Sequence, residues 1–304
     1  MDEIKELQEK LKENPNDLDT IEKYAIALSD IGENWEAYNI FLYLKNARPN
    51  SSTVYYNIGI ILEKENHIEE AVEAYEKALS LSSDDTDVMY NLSYLYLKSE
   101  RYNEAESLLL KLTELSPEDA NSFFQLGEVY CKTKQHEKAI VNFEKAVELN
   151  PSDVIAKFYL AYEYKENNQT DKAIKCYKEV IEMAPDYSWA YYNLAAIYLS
   201  KGEDDKAVFC LERTILYNPN DIQAITILCK IFSKQKKFIQ CEKILKKAIS
   251  EMPDEADLLY LMAQTYKCLN RKLNYNKYLK LAFDKKNTFT GDIESLEVEI
   301  SKIK

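Results

Sequence analysis

The sequence predicts an all-α protein, a right-handed superhelical α-solenoid of antiparallel helix pairs. Three observations predict it. First, one phrase recurs: "YYNIGIILEKEN" from Tyr55, "MYNLSYLYLKSE" from Met89, "FFQLGEVYCKTK" from Phe123, "KFYLAYEYKENN" from Lys157 and "YYNLAAIYLSKG" from Tyr191, in steps of 34 residues. Second, Pro15, Pro49, Pro117, Pro151, Pro185, Pro219 and Pro253 share one phase of 34, with Ser83 filling the single gap. Third, 304 residues contain only 5 Gly and 7 Pro, while Leu, Lys, Glu and Ala abound, so little interrupts a helix. A fixed period of this length marks a repeat array and overrides a domain count based on length.

Each element of the period has its own cause. Phe123, Leu126, Gly127 and Tyr130 stand at i, i+3, i+4 and i+7, one face of a first helix. Gly32, Asn66, Asn168, Gly202 and Asn270 then share a phase, and these residue types accept the left-handed conformation that closes a helix. Ala139, Phe143 and Ala146 mark the face of a second helix. Ala37, Ala71, Ala105, Ala139, Ala173, Ala207 and Cys241 repeat the small residue that lets two backbones approach. The proline stops the second helix. Asp17, Asp85, Asp119, Asp153 and Asp221, two residues beyond that phase, are placed to cap the next one. A lone helix pair leaves its apolar faces wet, whereas stacked pairs share them and build a continuous core.

These residues carry a resemblance to the tetratricopeptide repeat family. Residues 120–153 match its pattern throughout, with Phe123, Leu126, Gly127, Tyr130, Ala139, Phe143, Ala146 and Pro151. Residues 52–85 give Tyr55, Ile58, Gly59, Leu62, Ala71, Tyr75 and Ala78, with Ser83 for the proline, and residues 188–221 carry Thr214 where the family has Ala. Eight copies fit at 18–51, 52–85, 86–119, 120–153, 154–187, 188–221, 222–255 and 256–289, the last weakened by Tyr275 and Asn287. Residues 1–17, with Ile4, Leu7 and Leu11, read as an N-terminal capping half-repeat. Residues 290–304, with Ile293, Leu296, Ile300 and Ile303, read as a C-terminal capping helix; the rival reading is a partner-binding helix.

Composition narrows the function. The opening "MDEIKELQEKLKEN" lacks the apolar run of a signal peptide, and nothing approaches the length of a membrane span. The six cysteines form no C-x-x-C pair, and reduced thiols acting as small buried hydrophobes are expected, with the cytoplasm as compartment. The net charge is −13, unevenly spread: residues 1–221 carry −19 and residues 222–304 carry +6. The acidic part should repel nucleic acid and anionic membrane. No phosphate-cradling glycine loop, dinucleotide fingerprint or zinc-protease motif occurs, and His67 and His136 fall in turns, so neither enzyme nor cofactor is expected.

The opposite side of each first helix is the expected partner-binding groove, which the resemblance makes the concave inner surface. Tyr56, Tyr90, Phe124, Phe158 and Tyr192 share its fifth position, where an aromatic can also simply pack on its neighbour. Ile60, Tyr94, Leu97, Tyr162, Trp189 and Leu199 extend the apolar strip, and the family usually has polar residues at Tyr94, Tyr162 and Trp189. Tyrosine and tryptophan offer large contact area at low entropic cost. Asn57, Asn91, Gln125 and Asn193 could pair with an extended peptide backbone, a ladder some family members use, although Tyr159 interrupts it. The lysine and asparagine clamp with which other members hold an acidic chain terminus is not present in any three consecutive copies.

At the basic end, Lys230, Lys234, Lys236, Lys237 and Lys267 read either as a solvated face or as a dock for an acidic segment. The expected function is a non-catalytic protein-interaction scaffold holding an extended peptide or partner helix. The alternatives are a self-assembling structural protein joined through its acidic and basic halves, hence a homo-oligomer, and an adaptor or chaperone subunit of a larger complex.

Overall fold

In the computed structural model, which describes residues 2–303, no strand occurs among the described residues and helices account for the fold. The chain divides into two compact units, the first ending at Ala156 and the second beginning at Lys157. The first contains α1 (Asp2–Glu13), α2 (Leu18–Asp30), α3 (Asn34–Ala47), α4 (Ser52–Lys64), α5 (Ile68–Leu81), α6 (Thr86–Lys98), α7 (Tyr102–Leu115), α8 (Ala120–Lys132) and α9 (His136–Leu149). Helix α10 (Val154–Glu166) starts at the boundary. The second unit continues with α11 (Thr170–Met183), α12 (Ser188–Ser200), α13 (Asp204–Tyr217), α14 (Ile222–Lys234), α15 (Phe238–Glu251), α16 (Ala256–Cys268), α17 (Lys272–Asp284), a 3-10 turn (Lys286–Thr288) and α18 (Ile293–Ser301).

Within each unit the helices pack as pairs, α4 with α5 or α12 with α13, and the second helix of a pair also packs on the first helix of the next. Each unit is therefore an α-solenoid of helix pairs. The small residues lie where paired helices cross: Ala37, Ala71, Ala105, Ala139, Ala173, Ala207 and Cys241 are fully buried. Gly59 and Gly127 face them from the first helices. A Cβ at these glycines would lie 2.5 Å from the Tyr75 ring and 2.7 Å from the Phe143 ring, so the aromatic occupies the space that the missing side chain leaves.

The punctuation follows the expected chemistry and extends it. Gly32, Asn66, Asn168, Gly202 and Asn270 have positive φ, between 55° and 90°. Glu100, Lys134 and Lys236 hold the same left-handed conformation at φ 58°, 57° and 59°, although their side chains favour it less. The turn closes in each case by a return hydrogen bond, such as Arg101 N to Tyr96 O at 2.8 Å. All five aspartates cap: Asp17 accepts from Asp19 N, Asp85 from Val88 N, Asp119 from Asn121 N and Ser122 N, Asp153 from Ile155 N and Ala156 N, and Asp221 from Ala224 N.

At the ends, Leu7 of α1 is buried, and Leu296 of α18 joins Ala263 and Leu279 in a cluster flanked by Tyr260, Tyr275 and Phe289. Among the described residues, no helix is long and apolar enough to cross a membrane.

Candidate partner-binding face

In the first unit, α4, α6 and α8 carry the predicted side chains, and the face they form is not wholly opposite the paired helices, because its fifth-position aromatics reach back onto them. Tyr56, Ile60, Tyr90, Tyr94, Leu97 and Phe124 are all half-buried. Tyr56 rests one side of its ring on Tyr75 of α5, centroids 5.8 Å apart, and Phe124 rests on Phe143 of α9 at 5.6 Å. These two aromatics thus both contribute to packing and leave an edge toward solvent. Tyr94 has no such anchor in the core; instead Lys98, one turn on, places its ammonium 4.8 Å from the ring centroid. Glu128 also lies on α8, and burial pushes its carboxyl up to about 6, with Lys132 pulling partly the other way.

In the second unit the face is formed by α10, α12, α14 and α16. Phe158 packs on Tyr177 and Tyr187, with centroids 5.7 and 5.2 Å away. Tyr162 is half-buried with Lys165 above its ring at 4.6 Å. Trp189 is 57% exposed and meets Tyr192 edge to face at 6.3 Å. The Tyr192 hydroxyl donates to Gln223 Oε1 on α14, 3.1 Å away, and Leu199 is half-buried.

Beyond Tyr192 the face opens into a cavity of about 600 Å³ between α12, α14 and α16. Its walls include Tyr192, Gln223, Thr226, Lys230, Tyr260 and Phe289. The segment after α17 closes it. Thr290 donates to the Asp257 carboxylate from its backbone N at 3.2 Å and its Oγ1 at 2.8 Å, and Thr288 Oγ1 accepts from Ala256 N at 3.0 Å. The Phe289 ring then meets Tyr260 at 5.3 Å. Phe289 and Thr290 are absent from the predicted groove, since no repeat position assigns the linker after α17 to this face.

The carboxamides do not form an open ladder. Asn57 Nδ2 donates to Thr53 O within its own helix, and Asn91 Nδ2 donates to the Tyr56 hydroxyl. Gln125 is buried, its Oε1 accepting from Ser93 Oγ at 2.7 Å. Asn193 is buried as well, donating to Trp189 O at 2.9 Å and accepting from Lys165 Nζ at 3.0 Å. Gln125 and Asn193 thus tie first helices to their neighbours and present no free amide to a peptide.

Two of the five lysines are engaged in ion pairs. All five are exposed, but Lys234 pairs with Asp204 at 3.4 Å and Lys267 with Glu299 of α18 at 3.0 Å. Lys237 lies 6.0 Å from the Phe232 ring centroid, Lys236 sits in the left-handed turn, and Lys230 borders the cavity.

Helix pairs in register at 34 residues, with an aromatic strip on the first helices, define a protein-binding repeat fold. Tetratricopeptide repeat models match residues 62–126, 164–230 and 120–153, together just over half of the sequence. The chain belongs to the tetratricopeptide repeat family. Among solved structures, it is 28% identical to YrrB, a tetratricopeptide repeat protein with an unusual peptide-binding site, with a TM-score of 0.55 over 62% of this chain and 96% of YrrB. The C-terminal part of a repeat protein from Cytophaga hutchinsonii (20% identity, TM-score 0.62, 73% of this chain and 92% of that one) shares the fold. So does MamA from Desulfovibrio magneticus (22% identity, TM-score 0.54, 57% and 97%). No curated protein matches the sequence.

Proposed function

We propose that the protein is a non-catalytic scaffold that holds an extended peptide or a partner helix along the exposed face of its first helices. The observation that carries this reading is the exposed Trp189 set edge to face against Tyr192, which itself lines the 600 Å³ cavity. A large aromatic held half out of the protein next to a concave, partly polar pocket is the usual composition of a binding hot spot. Tyr162 beneath Lys165 in the same unit, and Tyr94 beneath Lys98 on the first helices of the other unit, supply the same chemistry. The peptide-binding site described for YrrB supports a peptide as the occupant. The reading includes eight repeats over residues 18–289, with α1 and α18 as caps; Leu7 and Leu296, buried against the terminal pairs, support it.

The chain has two tryptophans, Trp35 and Trp189. In a Trp35→Phe variant, Trp189 alone reports on the face. A peptide selected on the full chain from a random display library should shift or quench its emission on binding. Saturation with no change in emission contradicts the proposal.

A further inference from the structure

The second helix of a pair carries one or two acids in its first turn in α3, α5, α7, α9, α11 and α13. Helices α15 and α17 carry none. Ile239 and Leu273 stand where Glu69, Glu137, Asp171 and Asp205 stand in other copies, and they are 59% and 86% exposed. Trp35 is the other large apolar residue at this position, but its ring rests edge to face on Tyr38 and His67. Cations flank both aliphatic side chains: Lys234, Lys236 and Lys237 precede Ile239, and Arg271 and Lys272 precede Leu273. No acid occurs from Ile222 to Cys241 or from Leu258 to Phe283. From neighbouring elements, Asp204 reaches Lys234 at 3.4 Å and Glu242 holds Arg271 at 2.9 Å. Among the described residues, no carboxylate pairs with Lys236, Lys237 or Lys272.

We propose that the turn edge of α15 and α17 docks the protein on the surface of an anionic lipid bilayer. Ile239 and Leu273 enter the headgroup boundary, and Lys236, Lys237 and Lys272 meet its phosphates and carboxylates. Two features select this occupant. A side chain as exposed as Leu273 lines no groove, so a folded partner would have to supply the whole pocket for it, whereas a bilayer yields to any projecting apolar group. The cations beside it make contact favourable with a negatively charged surface and not with a neutral one. A purely acidic segment would satisfy the lysines but leave the two aliphatic tips in water. The repulsion expected of the acidic part belongs to residues 1–221; residues 222–304 carry +6. None of the five docking residues lines the cavity between α12, α14 and α16, so a docked protein can still hold a peptide there.

The test is flotation of the full-length chain with vesicles of phosphatidylcholine alone or mixed with about 30% phosphatidylserine, at low and at high salt. The chain should float with the mixed vesicles at low salt, ignore the neutral ones, and be released by high salt. The double variant Ile239→Asp, Leu273→Asp should bind the mixed vesicles about tenfold more weakly or worse, and so should Lys236→Gln, Lys237→Gln. The aspartate variant keeps the fold, because Asp171 and Asp205 already occupy this position in other copies. Failure to float with the mixed vesicles at low salt overturns the proposal, as does equal binding to neutral vesicles or binding that the aspartate variant leaves unchanged. Retention on polyglutamate beads without flotation assigns the edge to an acidic protein and overturns it equally.

Discussion

Asn91 donates its carboxamide hydrogen to the Tyr56 hydroxyl, 3.2 Å away, and so joins the first helix of one pair to the first helix of the pair before it. Asn193 performs the same task while buried, bound both to Trp189 O and to Lys165. Asn193→Ala should therefore lower stability by about 1–3 kcal/mol, because it removes two hydrogen bonds of a buried amide, one of them from the charged Lys165. Urea unfolding of the variant measures this; an unchanged midpoint would mean that the amide is spare and free to serve a ligand.

Gly127 exists because Phe143 fills its side-chain volume. Gly127→Ala should cost about 1–3 kcal/mol from overpacking. Adding Phe143→Leu, the aliphatic choice that Leu245 represents at the same repeat position in α15, should recover part of that loss. A double-mutant cycle by thermal unfolding would show the coupling, and additive effects would deny that the two positions share one space.

Glu128 makes stability depend on pH. Burial raises its folded-state pKa to about 6, above the unfolded value near 4.5, so the folded state binds the proton more tightly. Its ionisation then destabilises the fold above pH 6, and that penalty is relieved as the pH falls from 6 toward 4.5. Glu128→Gln should raise stability at pH 7 by on the order of 1 kcal/mol and flatten this window. Denaturant titrations at several pH values compare the two proteins directly.

Helix α18 is held by Glu299, which accepts from Gln264 Nε2 at 2.7 Å, Lys267 Nζ at 3.0 Å and the Tyr275 hydroxyl at 3.3 Å. Glu299→Ala should raise amide exchange across residues 293–301 about tenfold, corresponding to a loss of about 1.4 kcal/mol of local stability. Exchange in α8 and α9 should stay as it was.

The fold was legible because each repeated residue answers a local demand. The prolines end helices, the aspartates cap them, and the alanines at 37 through 207 sit where backbones cross. The left-handed turns at Glu100, Lys134 and Lys236 were not legible, since the return hydrogen bonds there prevail over side-chain preference. On the candidate face, helical spacing assigns a side but not an exposure. It placed Trp189 and Gln125 alike, yet one is 57% exposed and the other 3%. The difference arises between helices: Ser93 reaches across to Gln125, while nothing covers Trp189 in this way. Pairing of Lys234 with Asp204 and of Lys267 with Glu299 also spans elements, as does the docking of Thr290 on Asp257 that completes the cavity. Periodicity within one copy does not encode such contacts.

The most direct measurement of the central claim is the affinity of a library-selected peptide for the wild-type chain, Trp189→Ala and Phe209→Ala, by calorimetric titration. Phe209 is the matched control: it is 54% exposed, but on α13, a second helix. The account predicts that Trp189→Ala weakens binding by about tenfold or more while Phe209→Ala leaves it unchanged. Equal affinities for wild type and Trp189→Ala, with a loss at Phe209→Ala, would contradict it.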